Sequence, residues 1–494
     1  MHDLYPKPML DKLAKQTAIY GISTILGRFL SYMLTPFYTR IFGLESYGII
    51  TDIYALIPFA LVVLTLGMES GLFRFSARAE QEGGDVASKK RRTFATMWTL
   101  TSAAALLFWV VIYLFNGEVS ALMGEVYAAN PQYVIIVATI VTFDVIGCIP
   151  FSRLREQGRA VAFVSLKLLN IALQVALAFA FWGMGLFDSP FGVGWAFVAN
   201  LAASIITTLL VVGLTATLPR IDRSILLPLF AYSMPLLISG IAGTANEFID
   251  RQLIKYLVPS GAMAQLGIYG AITKIAVVMT LFTQTYRLAA EPFFLANYRR
   301  DEFVEMNAAA MKYFVMASMV IMLGITLFSD LFALIVGSEF RTGIDILPII
   351  LFANMLCGVW LNLSFWYKRE ERTYFALWVT LSGLVASVAF GWLLIPRMGF
   401  EGAAWSRLAT ESVMVVVSLA LTRIFYPVPY DWRRIVELCG VALAIYCTAR
   451  WLDVENGIVR YATHTVLFVI YVAYVVRREH IDIKGLLKAA LKRR

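Results

Sequence analysis

Fourteen stretches of about twenty mostly apolar residues follow one another through this chain. They lie at 16–35, 49–73, 94–115, 132–152, 160–183, 191–215, 227–250, 266–290, 308–329, 345–366, 374–395, 402–424, 434–452 and 458–476. A helix needs about 20 apolar residues to cross a hydrocarbon core about 30 Å thick. In lipid every backbone polar group must be satisfied within the spanning element, so only helices and closed barrels cross. The length of these runs selects helices. Composition agrees: 60% of the 494 residues are hydrophobic and 15% charged, with mean hydropathy +0.73. A soluble domain carries about 45–50% apolar and about 25% charged residues. The expected fold is an all-α integral membrane protein with about 14 transmembrane helices. Residues 16–35 follow Lys7, Lys12 and Lys15, as a signal peptide would. However, Arg28 interrupts the run and no small-residue cleavage site follows, so it reads as the first span.

Charge placement sets the orientation. Loop residues Arg78, Lys89, Lys90, Arg91, Arg92, Arg153, Arg155, Arg159, Arg220, Arg223, Arg299, Arg300, Lys368, Arg369, Arg372, Arg423, Arg433 and Arg434 fall on alternate sides together with the tail. Roughly 28 basic residues lie on that side and about 7 on the other, a positive-inside pattern with both termini cytoplasmic. The alternation holds to the end, which supports an even number of spans. The loops are short. The longest outer connection, near 116–131, holds Glu118 and Glu125 and no basic residue. The tail places Lys484, Lys488 and Lys492 at four-residue spacing opposite Leu486, Leu487, Ala490 and Leu491. That pattern fits an interfacial helix on an anionic leaflet or a solvated basic tail.

A short internal repeat is visible. Arg40-Ile-Phe-Gly and the Tyr47-Gly48-Ile start of helix two resemble Asp250-Arg251 and the Leu266-Gly267-Ile start of helix eight. The expected divisions are a first lobe at 1–220 (helices 1–6), a second at 221–430 (helices 7–12), two further helices at 431–480 and a basic tail at 481–494. Repeats of this kind place a binding site between the halves.

The net charge is +9. Its scatter among apolar runs argues against nucleic acid as a partner. Cys148, Cys357, Cys439 and Cys447 sit in apolar runs and form no CxxC site. His2, His464 and His480 do not cluster. No metal or other cofactor is expected, and no P-loop pattern suggests ATP use.

Ionisable residues inside a membrane cost about 2.5–3.5 kcal/mol each on insertion scales. Here polar residues fall on faces. Helix one carries Thr24, Arg28, Ser31, Tyr32 and Thr35 at three- and four-residue steps. Helix five carries Lys167, Asn170 and Gln174, and helix six carries Asn200, Ser204 and Thr207. Helix seven carries Ser239, Gly243, Asn246 and Asp250, with Glu247 and Arg251 alongside. Helix eight carries Thr273, Lys274, Thr280, Gln284, Arg287 and Glu291. Such stripes predict a central polar cavity, and its basic members point to an anionic cargo. Arginine suits a diphosphate because its planar fork donates paired hydrogen bonds and stays charged.

The candidate binding residues are Arg28, Lys167, Lys274, Arg74, Arg287 and Arg407; Arg28, Lys167 and Lys274 are expected to face one vestibule. The candidates for ion coupling are Glu69, Asp144, Glu247 and Asp250. Glu247/Arg251 and Arg407/Glu411, four apart, also fit structural ion pairs. Arg74 and Arg287 lie near helix ends and can snorkel. Pro58, Pro235 and Pro348 suggest kinks. Gly67-Met-Glu-Ser-Gly71 fits small-residue helix packing.

Several segments resemble a known family. They are Ala18-Ile-Tyr-Gly-Ile-Ser-Thr-Ile-Leu-Gly-Arg-Phe-Leu, Pro36-Phe-Tyr-Thr-Arg40, Glu45-Ser-Tyr-Gly48, Tyr232-Ser-Met-Pro235 and Asp250-Arg251. They look like the polysaccharide-transporter branch of the multidrug/oligosaccharidyl-lipid/polysaccharide exporter superfamily, and within it the Wzx-type O-unit oligosaccharide flippases. The resemblance implies two six-helix lobes in a V, plus two C-terminal helices, working by alternating access. It implies a cargo of undecaprenyl-diphosphate-linked oligosaccharide, moved from the inner to the outer leaflet of the bacterial cytoplasmic membrane. That serves cell-surface polysaccharide assembly, such as O-antigen and lipopolysaccharide, with membrane lipids, a glycan polymerase and other assembly proteins as partners. In the related lipid II flippases a basic residue of helix one is functional, and Arg28 is the matching position. The expected activity is transport, not enzymatic catalysis. The rivals are a cation-coupled multidrug exporter of the same superfamily, which predicts about twelve spans and an acidic cavity, and a membrane-embedded glycan polymerase or ligase, which predicts a sizeable external loop.

Overall fold

A computed structural model describes residues 32–215, 217–296, 302–370, 372, 374–452 and 454–479. Regular structure among these residues is helical. A helix over residues 32–41 (α1) leads to α2 (Leu44–Thr65), α3 (Met68–Glu82) and α4 (Val86–Leu114). Two short helices follow, α5 (Asn116–Met123) and α6 (Glu125–Ala129), then α7 (Pro131–Glu156), α8 (Ala160–Gly183), α9 (Gly194–Thr215) and α10 (Arg223–Leu257). The remainder comprises α11 (Ala262–Ile275), α12 (Val277–Ala296), α13 (Phe303–Leu327), α14 (Ser329–Ala333), α15 (Leu347–Leu363), α16 (Phe365–Arg369), α17 (Tyr374–Phe425), α18 (Trp432–Leu452) and α19 (Gly457–Arg478). Among the described residues, eleven helices are long and apolar enough to cross a membrane, or twelve if the bent pair α11–α12 is one span. The run expected at 16–35 lies largely outside the described residues, as does the basic tail.

Two apolar runs are not simple rods. The run at 49–73 breaks where Leu66 and Gly67 both take positive φ, 54° and 67°. Glycine meets that conformation without strain. A Cβ on Gly67 would also fall 2.7 Å from the Ser233 carbonyl oxygen. The Gly-x-x-x-Gly segment therefore packs on α10, as its spacing predicts, but also ends α2. The run at 266–290 bends by 48° between α11 and α12. The helix α17 covers the two runs expected at 374–395 and 402–424, and its backbone leaves helical geometry between them at Gly399 (φ 59°, ψ −132°). A hydrogen bond joins Ser406 Oγ to the Ser387 carbonyl at 3.4 Å, across 19 residues. A straight helix would hold those residues about 28 Å apart. The chain must therefore double back near Gly399, and α17 is a helical hairpin. Pro58 and Pro235 sit inside α2 and α10, whereas Pro348 occupies the first turn of α15. There its missing N–H has no partner to lose, so the kink expected at Pro348 does not arise.

The chain forms two compact units, residues up to Gly267 and residues from Ile268. In the first unit, Met68, Leu72, Phe94, Met97, Ile149 and Leu229 make a buried cluster joining α3, α4, α7 and α10. At its edge the repeat's two glycines meet. A Cβ on Gly48 would fall 1.9 Å from the Met263 carbonyl oxygen, and one on Gly267 2.2 Å from the Leu44 oxygen. Each glycine faces the carbonyl four residues before the other, so α2 and the start of α11 cross backbone to backbone in a reciprocal contact.

In the second unit, Trp366, Tyr367 and Phe375 form one buried aromatic cluster, and Phe294, Phe303 and Phe365 another. An ion network fastens the last two helices. Glu479, 4% exposed, pairs with Lys312 of α13 at 2.6 Å and Arg434 of α18 at 2.7 Å. Glu437 of α18 pairs with Arg434 at 2.9 Å and Arg478 of α19 at 3.2 Å.

Candidate functional site

The end of α7 is pinned to the start of α4 by Glu156, 7% exposed, which pairs with Lys90 and Arg153 at 2.8 Å each. That fixed end brings the last turn of α7, the first turn of α3 and the second turn of α8 around one cavity of about 360 Å³. Its charged lining is Glu69, Asp144, Arg155 and Lys167. Thr65, Ser152, Asn170, Thr207 and Thr208 supply hydroxyl and amide groups, and Phe151 and Phe163 supply aromatic walls.

The four charges are held differently. Arg155 Nη1 donates to Glu69 Oε1 at 2.8 Å, with both side chains about two-fifths exposed. The guanidinium carbon also lies 5.0 Å from the Phe73 ring centroid and 5.9 Å from that of Phe163. These rings orient the plane, as cation–π contacts do. Lys167 Nζ lies 4.2 Å from the Phe151 ring centroid and makes no ion pair among the described residues. Asp144 lies one helix away, within the electrostatic reach of Lys167 and bonded by Ser204. Asn170 Nδ2 donates to Thr207 Oγ1 at 3.0 Å, and Thr208 Oγ1 to the Phe143 carbonyl at 3.0 Å. These bonds satisfy the polar faces of α8 and α9 while leaving the Lys167 ammonium directed at the cavity. The site thus combines two cations and two carboxylates, with polar groups fixed around them.

Of the residues expected from sequence, Lys167, Glu69 and Asp144 come together here. Arg155 joins them although it reads in the sequence as one of three loop arginines. Arg28 lies outside the described residues. Arg74 stacks over the Tyr232 ring at 4.4 Å on α3, exposed and outside the lining. Lys274 is exposed in the last turn of α11. Arg287 pairs with Glu291 at 3.3 Å, and Arg407 Nη2 donates to Asn354 Oδ1 at 3.2 Å. Glu411 accepts from Trp360 Nε1 at 3.0 Å. Arg251 Nη1 donates to the main-chain carbonyl of Glu247 at 2.7 Å and lies 3.8 Å from the buried Asp250 carboxylate.

A second polar cluster in the first unit was not anticipated. Asp52, fully buried in α2, accepts from Lys255 Nζ and Gln252 Nε2 of α10 and from Tyr127 Oη of α6, at 2.6 Å each. Burial, then the Asp52 charge, pushes the Tyr127 phenol well above its usual range, so it stays a donor. The available signal was a single aspartate inside the apolar run 49–73.

Residues 13–297 match the polysaccharide biosynthesis protein family. No curated protein matches the chain in sequence. Among solved structures, the chain is similar to the lipid II flippase MurJ in an inward closed conformation, with TM-score 0.70 at 12% identity, covering 94% of this chain and 100% of that one. It is also similar to an inward-facing multidrug resistance MATE family transporter of the MOP superfamily (TM-score 0.66, 15% identity, 81% and 94% covered). A third similar structure is the MATE multidrug transporter DinF-BH (TM-score 0.61, 16% identity, 84% and 96% covered). At such identities the likeness is one of fold.

Proposed function

The chain belongs to the polysaccharide biosynthesis protein family, and from that premise we propose that it is a flippase. Its cargo would be an undecaprenyl-diphosphate-linked oligosaccharide, carried from the inner to the outer leaflet of a bacterial cytoplasmic membrane. The observation that carries this reading is the pairing of Lys167 and Arg155 on one cavity with hydrogen-bonding walls. An ammonium and a planar guanidinium together suit the two phosphates of a diphosphate. A volume of about 360 Å³ is at the low end for ligand pockets, about 300–1,000 Å³. It suits the diphosphate and leaves the sugar chain and prenyl tail outside.

The membrane arrangement of this proposal has fourteen spans. They are the eleven long helices, the bent pair, the second arm of the α17 hairpin, and the first span expected at 16–35. The positive-inside alternation puts both termini in the cytoplasm. Arg155 and Lys167 then lie toward the cytoplasmic side, where a lipid-linked sugar made inside the cell would arrive. Two lobes, divided near residue 220, would alternate access, with 431–480 as additional helices. A membrane potential negative inside favours export of the anion, by about 2.3 kcal/mol per charge and 100 mV. Arg28, Lys274, Arg74, Arg287 and Arg407 would serve the same path at other stages, and Glu247 and Asp250 remain candidates for ion coupling beside Glu69 and Asp144.

The test replaces Lys167 and Arg155 by Ala, singly and together, in a strain whose surface glycan depends on this protein. Loss of surface glycan at equal membrane expression, with lipid-linked oligosaccharide accumulating inside, is expected. Full glycan output from the double variant would remove this cavity from the transport path. Arg28→Ala tests helix one in the same way.

A further inference from the structure

Glu69 and Arg155 meet in the cavity wall at 2.8 Å, and this contact bears on how an anion could be received there. The pair is not a structural clamp of the kind seen at Glu156, whose carboxylate is 7% exposed between two cations. Both partners of Glu69–Arg155 are about two-fifths exposed and both line the open space. Glu69 sits directly after the Leu66–Gly67 break, in the first turn of α3. Its backbone is thus fixed at a helix start while its side chain reaches into the cavity. Arg155 is oriented by Phe73 and Phe163 independently of Glu69.

Resting on the flippase reading above, we propose that Glu69 is a resident carboxylate that occupies Arg155 until a phosphate ester displaces it. A diphosphate carries more charge and more acceptor oxygens than a carboxylate, and it can engage the guanidinium fork and the Lys167 ammonium together. Of the two cavity cations, Glu69 pairs with Arg155. Two cations face two carboxylates when the cavity is empty; when it is filled, the anion takes over the hold on Arg155 and the displaced Glu69 carboxylate, already two-fifths exposed, is left to water. The ligand class is a prenyl diphosphate ester, doubly esterified in the proposed cargo, and Glu69 sets how strongly it must bind to enter. Weakly charged lipids that cannot compete with a carboxylate are refused.

The experiment titrates the full-length protein in detergent with inorganic diphosphate and with farnesyl diphosphate, using farnesol as the uncharged control, and measures Kd calorimetrically. Wild type, Glu69→Gln, Glu69→Ala and the double variant Glu69→Gln/Arg155→Gln are compared after each elutes as a single monodisperse peak. Release of a half-exposed ion pair predicts binding tighter by roughly two- to fivefold in both Glu69 variants, and loss of that gain when Arg155 is also replaced. Farnesol binding should not respond. Equal diphosphate affinity in wild type and both Glu69 variants, or weaker affinity in the variants, would overturn the exchange while leaving a diphosphate cargo standing. No diphosphate binding by any of the four proteins would overturn the cargo reading for this cavity, and the exchange with it.

Discussion

Lys255 Nζ and Asp52 Oδ2 lie 2.6 Å apart with side chains 3% and 0% exposed, joining α10 to α2 across 203 residues of sequence. Gln252 and Tyr127 complete the carboxylate's hydrogen bonds. Removing one partner of a buried ion pair leaves the other charge uncompensated, which typically costs about 3–5 kcal/mol, whereas replacing both by apolar groups is often near neutral. Asp52→Leu and Lys255→Met should therefore each lower Tm strongly in detergent. The double variant should recover most of the loss. Additive losses in the double variant would show that the two residues act separately.

Tyr127 adds a third segment to this cluster, from the short helix α6. Hydrogen bonds to charged groups contribute about 1.5–3 kcal/mol. Tyr127→Phe keeps the ring and removes the bond, so it should lower stability by about that amount and speed protease cleavage within residues 116–131. An unchanged cleavage rate would mean that α6 is held by its packing alone.

The reciprocal contact of Gly48 and Gly267 makes a steric prediction. Ala at either position would drive a methyl group to within 1.9 or 2.2 Å of a main-chain oxygen. Backbone cannot swing aside as a side chain can, so the cost should reach or exceed the about 1–3 kcal/mol of ordinary overpacking. Gly213→Ala, with no atom within 4 Å of its Cβ, is the control. Yield of folded protein and Tm should fall for Gly48→Ala and Gly267→Ala and hold for the control.

Asp222 caps α10 by accepting from the Ser224 main-chain N–H at 3.0 Å and from its hydroxyl. These bonds hold the carboxyl below its usual range, Arg92 and Arg220 adding a smaller charge effect. A depressed folded-state pKa means that the stabilisation is complete above the unfolded value, near 3.9, and is lost as pH falls through the folded one. Wild type should thus progressively lose its margin over Asp222→Asn as pH falls below about 4. Parallel Tm curves for the two proteins over that window would refute the role.

Much of the membrane architecture is legible residue by residue. A run such as 132–152 must be helical and must span, because no other element satisfies its backbone in lipid. Lys167 and Asp144 are conspicuous for a similar reason: an ionisable group inside an apolar run needs an internal partner or cavity. The breaks are less legible. Nothing in Thr65-Leu66-Gly67 announces that Leu66 takes a left-handed conformation, since the packing of Gly67 on the Ser233 carbonyl, 166 residues later, decides it.

Arg153, Arg155 and Arg159 show where reading along the chain ends. All three are basic residues closing one helix and opening the next, and all count equally toward the charge bias. In the folded chain Arg153 binds Glu156, Arg159 binds the Leu214 carbonyl, and Arg155 alone turns to Glu69 and the cavity. Helicity, the recurrence of apolar segments and the placement of positive charge can all be read along the chain, because those properties depend on local composition against a bilayer. That Glu69 meets Arg155 and Asp52 meets Lys255 emerges from the folded chain, because hydrogen-bond geometry between segments 86 and 203 residues apart depends on helix crossings that no local pattern encodes.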